Sequence, residues 1–403
     1  MSGPLQDLRV LDLSRVLAGP TCTQVLGDLG AGVIKIEHPR HGDMTRGWSS
    51  STDLGDGAHA SAESAYFRSA NRNKRSVAVD FSTSEGAALI RKLAGQSDVL
   101  VENYACGTLG KYGLGYGDLR ESCPDLIYCS ITAFGQSGPR RSELGYDLVI
   151  QAMSGLMSIT GEPEGGPMRA GVAMADITAG LYAAVGILAA LTHRGGGHRG
   201  QYLDIALWDS QVASLSNVAT SFLSDGRVPV RHGTAHPTIV PYQRFATLDG
   251  YLVLAVGNDQ QFMRFCDAAG SPELSVDARF ATNAERVRHR TELVSLVASM
   301  IARRTTADWV DALRRYEVPA GPIYTLPEVF ADSQAIARKL TTTLRDRSGA
   351  AVSLLASPIR LSRTPVSYRL APPSLGEQTE EVLEELGVSP GEIAEWRRSG
   401  VIG

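Results

Sequence analysis

The first 130 residues alternate short apolar runs with longer segments of helical pattern. The apolar runs lie at residues 8–14, 33–37, 76–79, 99–102 and 126–131. The helical patterns between them lie at residues 21–29, 84–96 and 116–122. Strands that alternate with helices in this way are typical of a parallel sheet with crossover helices. The pattern therefore predicts an α/β fold with a Rossmann-like, doubly wound large domain.

The pattern changes after a strand at 201–207 and a helix at 210–223. Residues 224–232 are polar and contain glycine and proline, which predicts a linker. Two strands at 244–247 and 251–256, joined by an Asp-Gly turn, are followed by helices at 260–269 and 290–303, which indicates a smaller α+β domain. The predicted limits are 1–223 for the first part of the large domain, 224–232 for the linker, 233–318 for the small domain and 319–403 for a return linker and a C-terminal part that packs on the large domain.

Composition excludes several classes of protein. The 403 residues are 43% hydrophobic and 20% charged, which is ordinary for a globular chain of two domains. The net charge of −4 predicts neither a nucleic-acid partner nor an anionic membrane. Five cysteines without a Cys-x-x-Cys pair indicate neither a disulfide framework nor a metal site. Without a signal-like start, and with a longest apolar run shorter than the ~20 residues of a membrane span, we expect a soluble cytoplasmic protein.

A nicotinamide-dependent oxidoreductase is one interpretation of such a fold, because Glu37 ends the second strand where an acid could bind a ribose. The loop before the first helix, Arg15–Pro20, lacks the Gly-x-Gly-x-x-Gly pattern of dinucleotide sites. The glycines of Gly27–Gly32 lie at the wrong end of that helix and are typical of a C-terminal cap. This interpretation is therefore disfavoured.

Asp176 is the residue where we expect chemistry. Residues 161–176 bring this carboxylate, through small residues, to the start of the apolar run 177–193, which has helical composition. Aspartate is favoured as an N-cap, and a helix N-terminus favours the ionised form that a carboxylate nucleophile requires. A capping role and a nucleophilic role are compatible, and the pattern alone leaves both open.

A series of motifs in fixed order extends over nearly the whole chain. Besides the segment that ends in Asp176, they are Asp12–Pro20, Lys35–Glu37, Gly42–Arg46, Asn73–Ser76, Val101–Tyr104, Phe134–Pro139, Gly145–Asp147, Ser154–Met157, Gly200–Gln201, Pro319–Pro322 and Leu375–Thr379. In this order they resemble the family III CoA-transferases, which include formyl-CoA transferases and share a fold with the α-methylacyl-CoA racemases.

The resemblance implies that Asp176 is the catalytic carboxylate, which forms a mixed anhydride and then an aspartyl-CoA thioester. It implies that Tyr146 and Asp147 support the active site. The residues that it implies for binding coenzyme A are Arg15, Val16, Leu17, His38, Val79, Asp80, Phe81, Asn103, Tyr104 and Lys111. It further implies an acyl-CoA thioester and a short carboxylic acid as substrates, no permanently bound cofactor, and an interlocked homodimer.

Three positions depart from the formyl-CoA transferase pattern. His38 and Lys111 stand where that group has arginines, and Lys111 lacks the bidentate fork of arginine. Leu17 stands in place of a glutamine used in oxalate chemistry, which argues against formyl or oxalyl transfer.

Other segments are most similar to the subgroup that exchanges CoA between succinate and glutarate. They include residues 171–182 and 233–243, and residues 233–236 match a mobile loop that closes over the active carboxylate. This likeness implies a short dicarboxylic acid as substrate. Its distal carboxylate needs a partner, for which the candidates are Arg169, Arg46, Arg15 and His236, with Arg169 and His236 preferred.

Two other functions are alternatives. A racemase of the same fold uses a His-Asp pair, and this chain has Tyr146-Asp147 instead, so one of the two bases is missing. A protein that binds CoA without catalysis would have no use for the carboxylate at position 176.

Overall fold

The computed structural model describes residues 3–49 and 63–403. The chain forms two compact units. The first comprises the residues up to Leu156, Arg169–Gly226 and Lys339–Gly403, and the second comprises Met157–Met168 and Arg227–Arg338. These units differ from the predicted domain limits at residues 157–168 and 319–338, which belong to the second unit. Contacts with residues far away in the chain decide which unit such a short segment joins, and local sequence patterns do not show these contacts.

The first unit is built on a six-stranded sheet. Its strands are β1 (Arg9–Asp12), β2 (Gly32–Glu37), β3 (Lys74–Ala78), β4 (Val99–Glu102), β5 (Ile127–Thr132) and β6 (Tyr202–Ala206). The strand order is β3-β2-β1-β4-β5-β6, and every neighbouring pair is parallel. This is the order of a doubly wound sheet. The predicted α/β class with a Rossmann-like sheet is confirmed.

Helices cover both faces of this sheet. In chain order they are α1 (Ala18–Asp28), α2 (Ala65–Ser69), α3 (Ser84–Ala94), α4 (Tyr116–Leu119), α5 (Asp147–Met153), α6 (Leu156–Ile159, which runs into the second unit), α7 (Met174–Gly195), α8 (Leu207–Ser214) and α9 (Ser216–Asp225), with short 3-10 turns at Met44–Gly47 and Leu109–Tyr112. Successive residues of β1 point to opposite faces of the sheet. Val10 packs in the core with α1 and α7, and Leu11 packs in the core with α3. The predicted helix 210–223 is divided at Leu215 into α8 and α9.

Helix α7 packs against α1, and this contact places the start of α7 beside the loop after β1. Its inward face consists of small residues, including Ala175, Ala179 and Ala183, which are fully buried. A Cβ on Gly180 would lie 2.5 Å from the backbone oxygen of Ala18, so only glycine permits this approach. Among the described residues, α7 is also the helix that is long and apolar enough to span a membrane, a test that core helices of globular proteins pass as well.

The second unit contains an antiparallel sheet of β7 (Tyr242–Ala246), β8 (Tyr251–Ala255) and β9 (Ala320–Pro322). Its helices are α10 (Asp259–Ala268), α11 (Glu273–Val276), α12 (Asn283–Arg288), α13 (Arg290–Ile301), α14 (Thr306–Arg315), α15 (Leu326–Ala331) and α16 (Ser333–Ala337). Phe265, Trp309 and Leu313 lie in its core. The chain then returns to the first unit with the hairpin β10 (Thr341–Arg345) and β11 (Ala351–Leu355), and with α17 (Thr379–Glu385) and α18 (Pro390–Ser399).

Candidate active site

Asp176 lies in the first turn of α7, at its third residue. The N-cap of this helix is Ala173, whose side chain makes no capping bond, so the expected capping role of Asp176 is wrong. The helix begins three residues earlier than the apolar run predicted. Asp176 is 8% exposed, and no described residue donates a hydrogen bond to its carboxylate. Both oxygens are therefore available to a ligand.

Asp147 performs the capping role in place of Asp176. One Asp147 oxygen accepts the backbone N–H of Ala175 at 2.8 Å, and the other accepts the amide of Gln151 at 2.7 Å. Gln151, which is fully buried, also accepts the N–H of Ala170 at 2.8 Å and donates to the carbonyl of Val172 at 3.2 Å. Helix α5 therefore holds the loop that leads into Asp176 without using the Asp176 carboxylate.

Burial raises the pKa of Asp176 to about 7, and the negative charge of Asp147 adds to this shift. The expectation that the helix N-terminus would keep this carboxylate fully ionised at neutral pH is therefore not met, because loss of water outweighs the helix dipole. Both protonation states coexist near pH 7. The ionised form, which is the nucleophile, becomes dominant above that pH.

A cavity of about 310 Å³ opens onto Asp176. We call it the Asp176 cavity. Its other lining residues are Arg15, Val16, Ala18, Met44, Asn103, Tyr104, Ala105, Cys106, Ile131, Thr132, Ala133, Arg141, Glu143, Leu144, Gly145, Tyr146 and Leu207. The structure thus brings five residues predicted for coenzyme A or substrate contacts to the same space as Asp176, namely Arg15, Val16, Asn103, Tyr104 and Tyr146.

A second cavity of about 360 Å³, the His38 cavity, shares three lining residues with the first, namely Arg15, Met44 and Tyr104. It also gathers the predicted residues His38, Val79, Asp80 and Phe81. The imidazole of His38 lies 3.7 Å from the Asp80 carboxylate and stacks on His41, with ring centroids 4.8 Å apart. The two cavities therefore lie side by side, with Arg15, Met44 and Tyr104 between them.

The loop after β1 is fixed where these cavities meet. The side chain of Asn103 makes two hydrogen bonds to the main chain of Arg15. It accepts the N–H at 2.8 Å and donates to the carbonyl at 2.6 Å. Val16 has a φ of 69°, in the left-handed region that β-branched residues rarely occupy. Its N–H points to the carboxylate of Asp43, at 3.2 and 3.3 Å, and Asp43 is paired with the buried Lys35 at 3.0 Å. The strained conformation is thus held by a buried ion pair.

The guanidinium of Arg15 lies over the ring of Tyr104, 4.2 Å from its centroid. Its Nε is buried and has no hydrogen-bond partner in the part of the chain that the structure describes. A buried donor without a partner is costly, and a bound anion would satisfy it.

Other predicted residues lie outside both cavities. Leu17 is the N-cap of α1, and Lys111 is exposed on the 3-10 turn at Leu109–Tyr112. Arg46 bonds both oxygens of Glu37, at 2.7 and 2.8 Å, and also pairs with Glu63. Arg169 is exposed on the segment before α7.

His236 belongs to the second unit. There its ring accepts the N–H of Thr238 at 3.2 Å and packs near Tyr242, with ring centroids 5.3 Å apart.

Sequence reasoning missed several residues of this site. Arg141, Cys106 and His41 line a cavity but stand in loops without a motif of their own. Tyr66 is near enough to Asp176 that, after burial, the Asp176 charge is the largest cause of its raised pKa. Gln151 had a usable signal, because it lies four residues after Asp147 on the same helix and therefore faces the same side.

A family model described as CoA-transferase family III matches residues 5–379 of this chain. The chain belongs to this family. The succinate–glutarate CoA-transferase of Agrobacterium fabrum (strain C58) is 47% identical over 384 residues, which cover 95% of this chain and 96% of that protein. The human succinyl-CoA:glutarate CoA-transferase is 42% identical over 400 residues, which cover 99% of this chain and 90% of that protein.

Among solved structures, a CaiB/BaiF family protein from Brucella suis matches with a TM-score of 0.84 and 42% identity, over 96% of this chain and all of that chain. The predicted family and the predicted enzyme class are confirmed: the protein is a CoA-transferase, and CoA thioesters are its substrates. The racemase alternative is not favoured, since these named relatives are transferases.

Proposed function

We propose that this CoA-transferase moves CoA from succinyl-CoA to a short dicarboxylic acid such as glutarate, with Asp176 as the nucleophile. The observation that carries the proposal is the state of Asp176: it is buried, free of hydrogen bonds from the described residues, and open to the Asp176 cavity. A purely structural carboxylate at this depth would be paired. The printed names of the relatives support succinate and glutarate as the acid pair.

The chemistry proceeds in two half-reactions. An oxygen of Asp176 attacks the thioester carbonyl of succinyl-CoA and the carbon–sulfur bond breaks. CoA departs as the thiolate, and Asp176 and the succinyl group are joined as a mixed anhydride. The thiolate then attacks the Asp176 carbonyl carbon, which forms an aspartyl-CoA thioester and releases succinate. Glutarate repeats the same steps in reverse order and leaves as glutaryl-CoA. An acid that is already ionised needs no general base.

The two cavities support a route for coenzyme A. We place its nucleotide end in the His38 cavity, near His38, Val79, Asp80 and Phe81, and its thiol end in the Asp176 cavity. Arg15 lies where the two meet, and its unpartnered Nε is a donor for an anionic or carbonyl oxygen of the ligand. Leu17 and Lys111, which line neither cavity, stay predicted contacts.

Tyr146 and Asp147 have different roles in this proposal. Tyr146 is 60% exposed at the Asp176 cavity and offers its hydroxyl to the substrate. Asp147 is buried and positions the loop before Asp176 through Ala175 and Gln151. It also raises the pKa of Asp176, which keeps the nucleophile basic enough to attack.

We also propose a cytoplasmic, interlocked homodimer, as the family resemblance implies. Sedimentation equilibrium would show twice the 43.0 kDa chain mass at micromolar concentration. A monomer that retains full activity would contradict this assembly.

The mechanism is tested by trapping the thioester. Enzyme incubated with succinyl-CoA alone, then denatured in acid and digested, should yield the peptide with Asp176 carrying the mass of CoA less one water. Asp176→Asn should carry none, and Tyr146→Phe, which keeps the nucleophile, should still carry it. A CoA label on another peptide of the wild-type enzyme would overturn the assignment of the nucleophile.

A further inference from the structure

The two arginines of the Asp176 cavity differ in where they lie. Arg15 and Arg141 both line it. Arg15 also lines the His38 cavity, and its unpartnered Nε lies where the proposed route of coenzyme A passes between the two cavities. Arg141 lines only the Asp176 cavity, and no described residue accepts a hydrogen bond from its guanidinium or pairs with it. Arg141 is therefore an uncommitted cation at the reacting carboxylate.

The acidic neighbour in this wall is Glu143, which also lines the Asp176 cavity. Glu143 pairs with Arg140, at 3.6 Å, so its charge is compensated from the side of the loop that does not line the cavity. In the proposed route Arg15 serves the coenzyme A, so a second carboxylate that enters this space with a substrate meets Arg141 as an opposite charge with no partner among the described residues.

Two of the arginines considered from the sequence, Arg46 and Arg169, are placed less well for this task. Arg46 is bonded to both oxygens of Glu37, and its departure would remove the guanidinium from this buried carboxylate. Arg169 does not line the Asp176 cavity. The loop from Arg141 to Tyr146, by contrast, contributes a cation, a hydroxyl and the backbone of Gly145 to the same wall.

Resting on the proposed function, we infer that Arg141 is the specificity-determining residue of this site: its guanidinium binds the distal carboxylate of the dicarboxylic acid whose other carboxylate reacts at Asp176. A monocarboxylic acid of equal length leaves Arg141 without a partner and gains nothing from it. Hydrogen bonds between charged groups are among the strongest in proteins, and arginine can bind a carboxylate through two parallel bonds. Arg141 thus selects dicarboxylic over monocarboxylic acceptors.

The test isolates the acceptor half-reaction. Enzyme is loaded with CoA by incubation with succinyl-CoA, desalted, and mixed with glutarate or with valerate, which has the same carbon chain and one carboxylate. The initial rate of glutaryl-CoA or valeryl-CoA formation at low acceptor concentration is read by mass spectrometry. The variants are R141Q, R141K and the adjacent control R140Q, and their loading with CoA is checked on the Asp176 peptide.

R141Q should lower the rate with glutarate by about 10- to 100-fold and leave valerate within about twofold, since only glutarate loses a charged partner. R141K should lower the rate with glutarate less than R141Q does, because lysine keeps the positive charge but cannot bind a carboxylate through two parallel bonds. R140Q should change the preference between the acids by no more than about twofold.

Equal losses for both acids, or no loss for glutarate, in an R141Q enzyme that still loads with CoA would overturn the role of Arg141 alone. Wild-type enzyme that does not load at Asp176, or that prefers valerate, would overturn the proposed function itself.

Discussion

Two buried aspartates of the first unit have opposite surroundings. Asp12, at the end of β1, is fully buried and is bonded by Lys74 at 3.0 Å, Thr23 at 2.6 Å and the backbone N–H of Ser14 at 2.9 Å. Asp176, at the start of α7, is nearly as buried and has no such donors among the described residues. Burial alone would raise both pKa values. At Asp12 the charges of Lys74 and Lys35 and the hydroxyls of Ser14 and Thr23 outweigh burial, and its pKa is lowered to about 2.

The difference separates a structural carboxylate from a reactive one. The Asp12 network ties β1, β2 and β3 together beneath the loop that carries Arg15, and every group in it has a partner. Asp176 is buried without that compensation, so its ionised form is destabilised and basic. A site that keeps a carboxylate in this state sacrifices stability for chemistry.

The largest expected effect is on turnover. Asp176→Asn keeps the shape of the side chain but cannot form an anhydride, and it should lower kcat by about 10⁴-fold or more. The measurement is CoA transfer from succinyl-CoA to glutarate, followed by mass spectrometry. Near wild-type turnover in this variant would refute the nucleophile.

The next effect concerns stability and sharpens the contrast. Asp12→Asn leaves Lys74 and Lys35 buried with one counter-charge fewer and should lower the free energy of unfolding by about 3–5 kcal/mol. Asp125→Asn, which removes an exposed partner of Arg199, is the matched control and should cost about 1 kcal/mol or less. Both are measured by urea denaturation. A loss at Asp12 no larger than that of the control would show that the network contributes little.

A third prediction uses pH, where the two aspartates should act with opposite sign. The folded pKa of Asp176, about 7, lies above the ordinary aspartate value of 3.8, so its contribution to stability falls as pH rises from about 4 to 7. Asp176→Asn should therefore be more stable than wild type at pH 7.5, by about 2–4 kcal/mol, and should approach it near pH 4. Asp12, with a pKa near 2, contributes stability that is lost only as pH falls below about 4. Activity of the wild-type enzyme should rise through about pH 7. A stability difference between wild type and Asp176→Asn that does not change with pH would contradict the raised pKa.

The smallest expected effect is on kcat, and it tests whether Gln151 positions the loop before Asp176, whose own carboxylate accepts no hydrogen bond from the described residues. Gln151→Met removes the amide that bonds Asp147, Ala170 and Val172 and should lower kcat about tenfold with little change in KM, because a loosened loop misplaces the nucleophile. Gln211→Met is the control: Gln211 is also buried in a helix but bonds Ser214 of that helix and no residue of the loop before Asp176. Melting temperatures of both variants separate stability from catalysis. Equal losses of kcat in the two would assign Gln151 to folding alone.

Local patterns predicted much of the first unit. Strand β4 is at the predicted residues 99–102, and the sheet, the apolar helix and the carboxylate at its start follow from hydrophobic periodicity. The same patterns began a return linker at residue 319, whereas residues 319–338 belong to the second unit. Strand β9 is defined by pairing with β8, 66 to 70 residues earlier in the chain. They also predicted, wrongly, that Asp176 is the N-cap of the helix that carries it.

By itself, then, the sequence determined the α/β class, the membership in the CoA-transferase family and the importance of Asp176, since these depend on local periodicity and on residue types in order. Only the tertiary structure decided the state of that carboxylate. Its pKa depends on burial and on Asp147, which caps α7 from 28 residues away in the chain. The packing of α1, α5 and α7 fixes these distances, and the folded chain also brings Arg141, in the loop before α5, to the wall of the Asp176 cavity. Burial and long-range hydrogen bonds are properties of the packed chain, and no local pattern contains them.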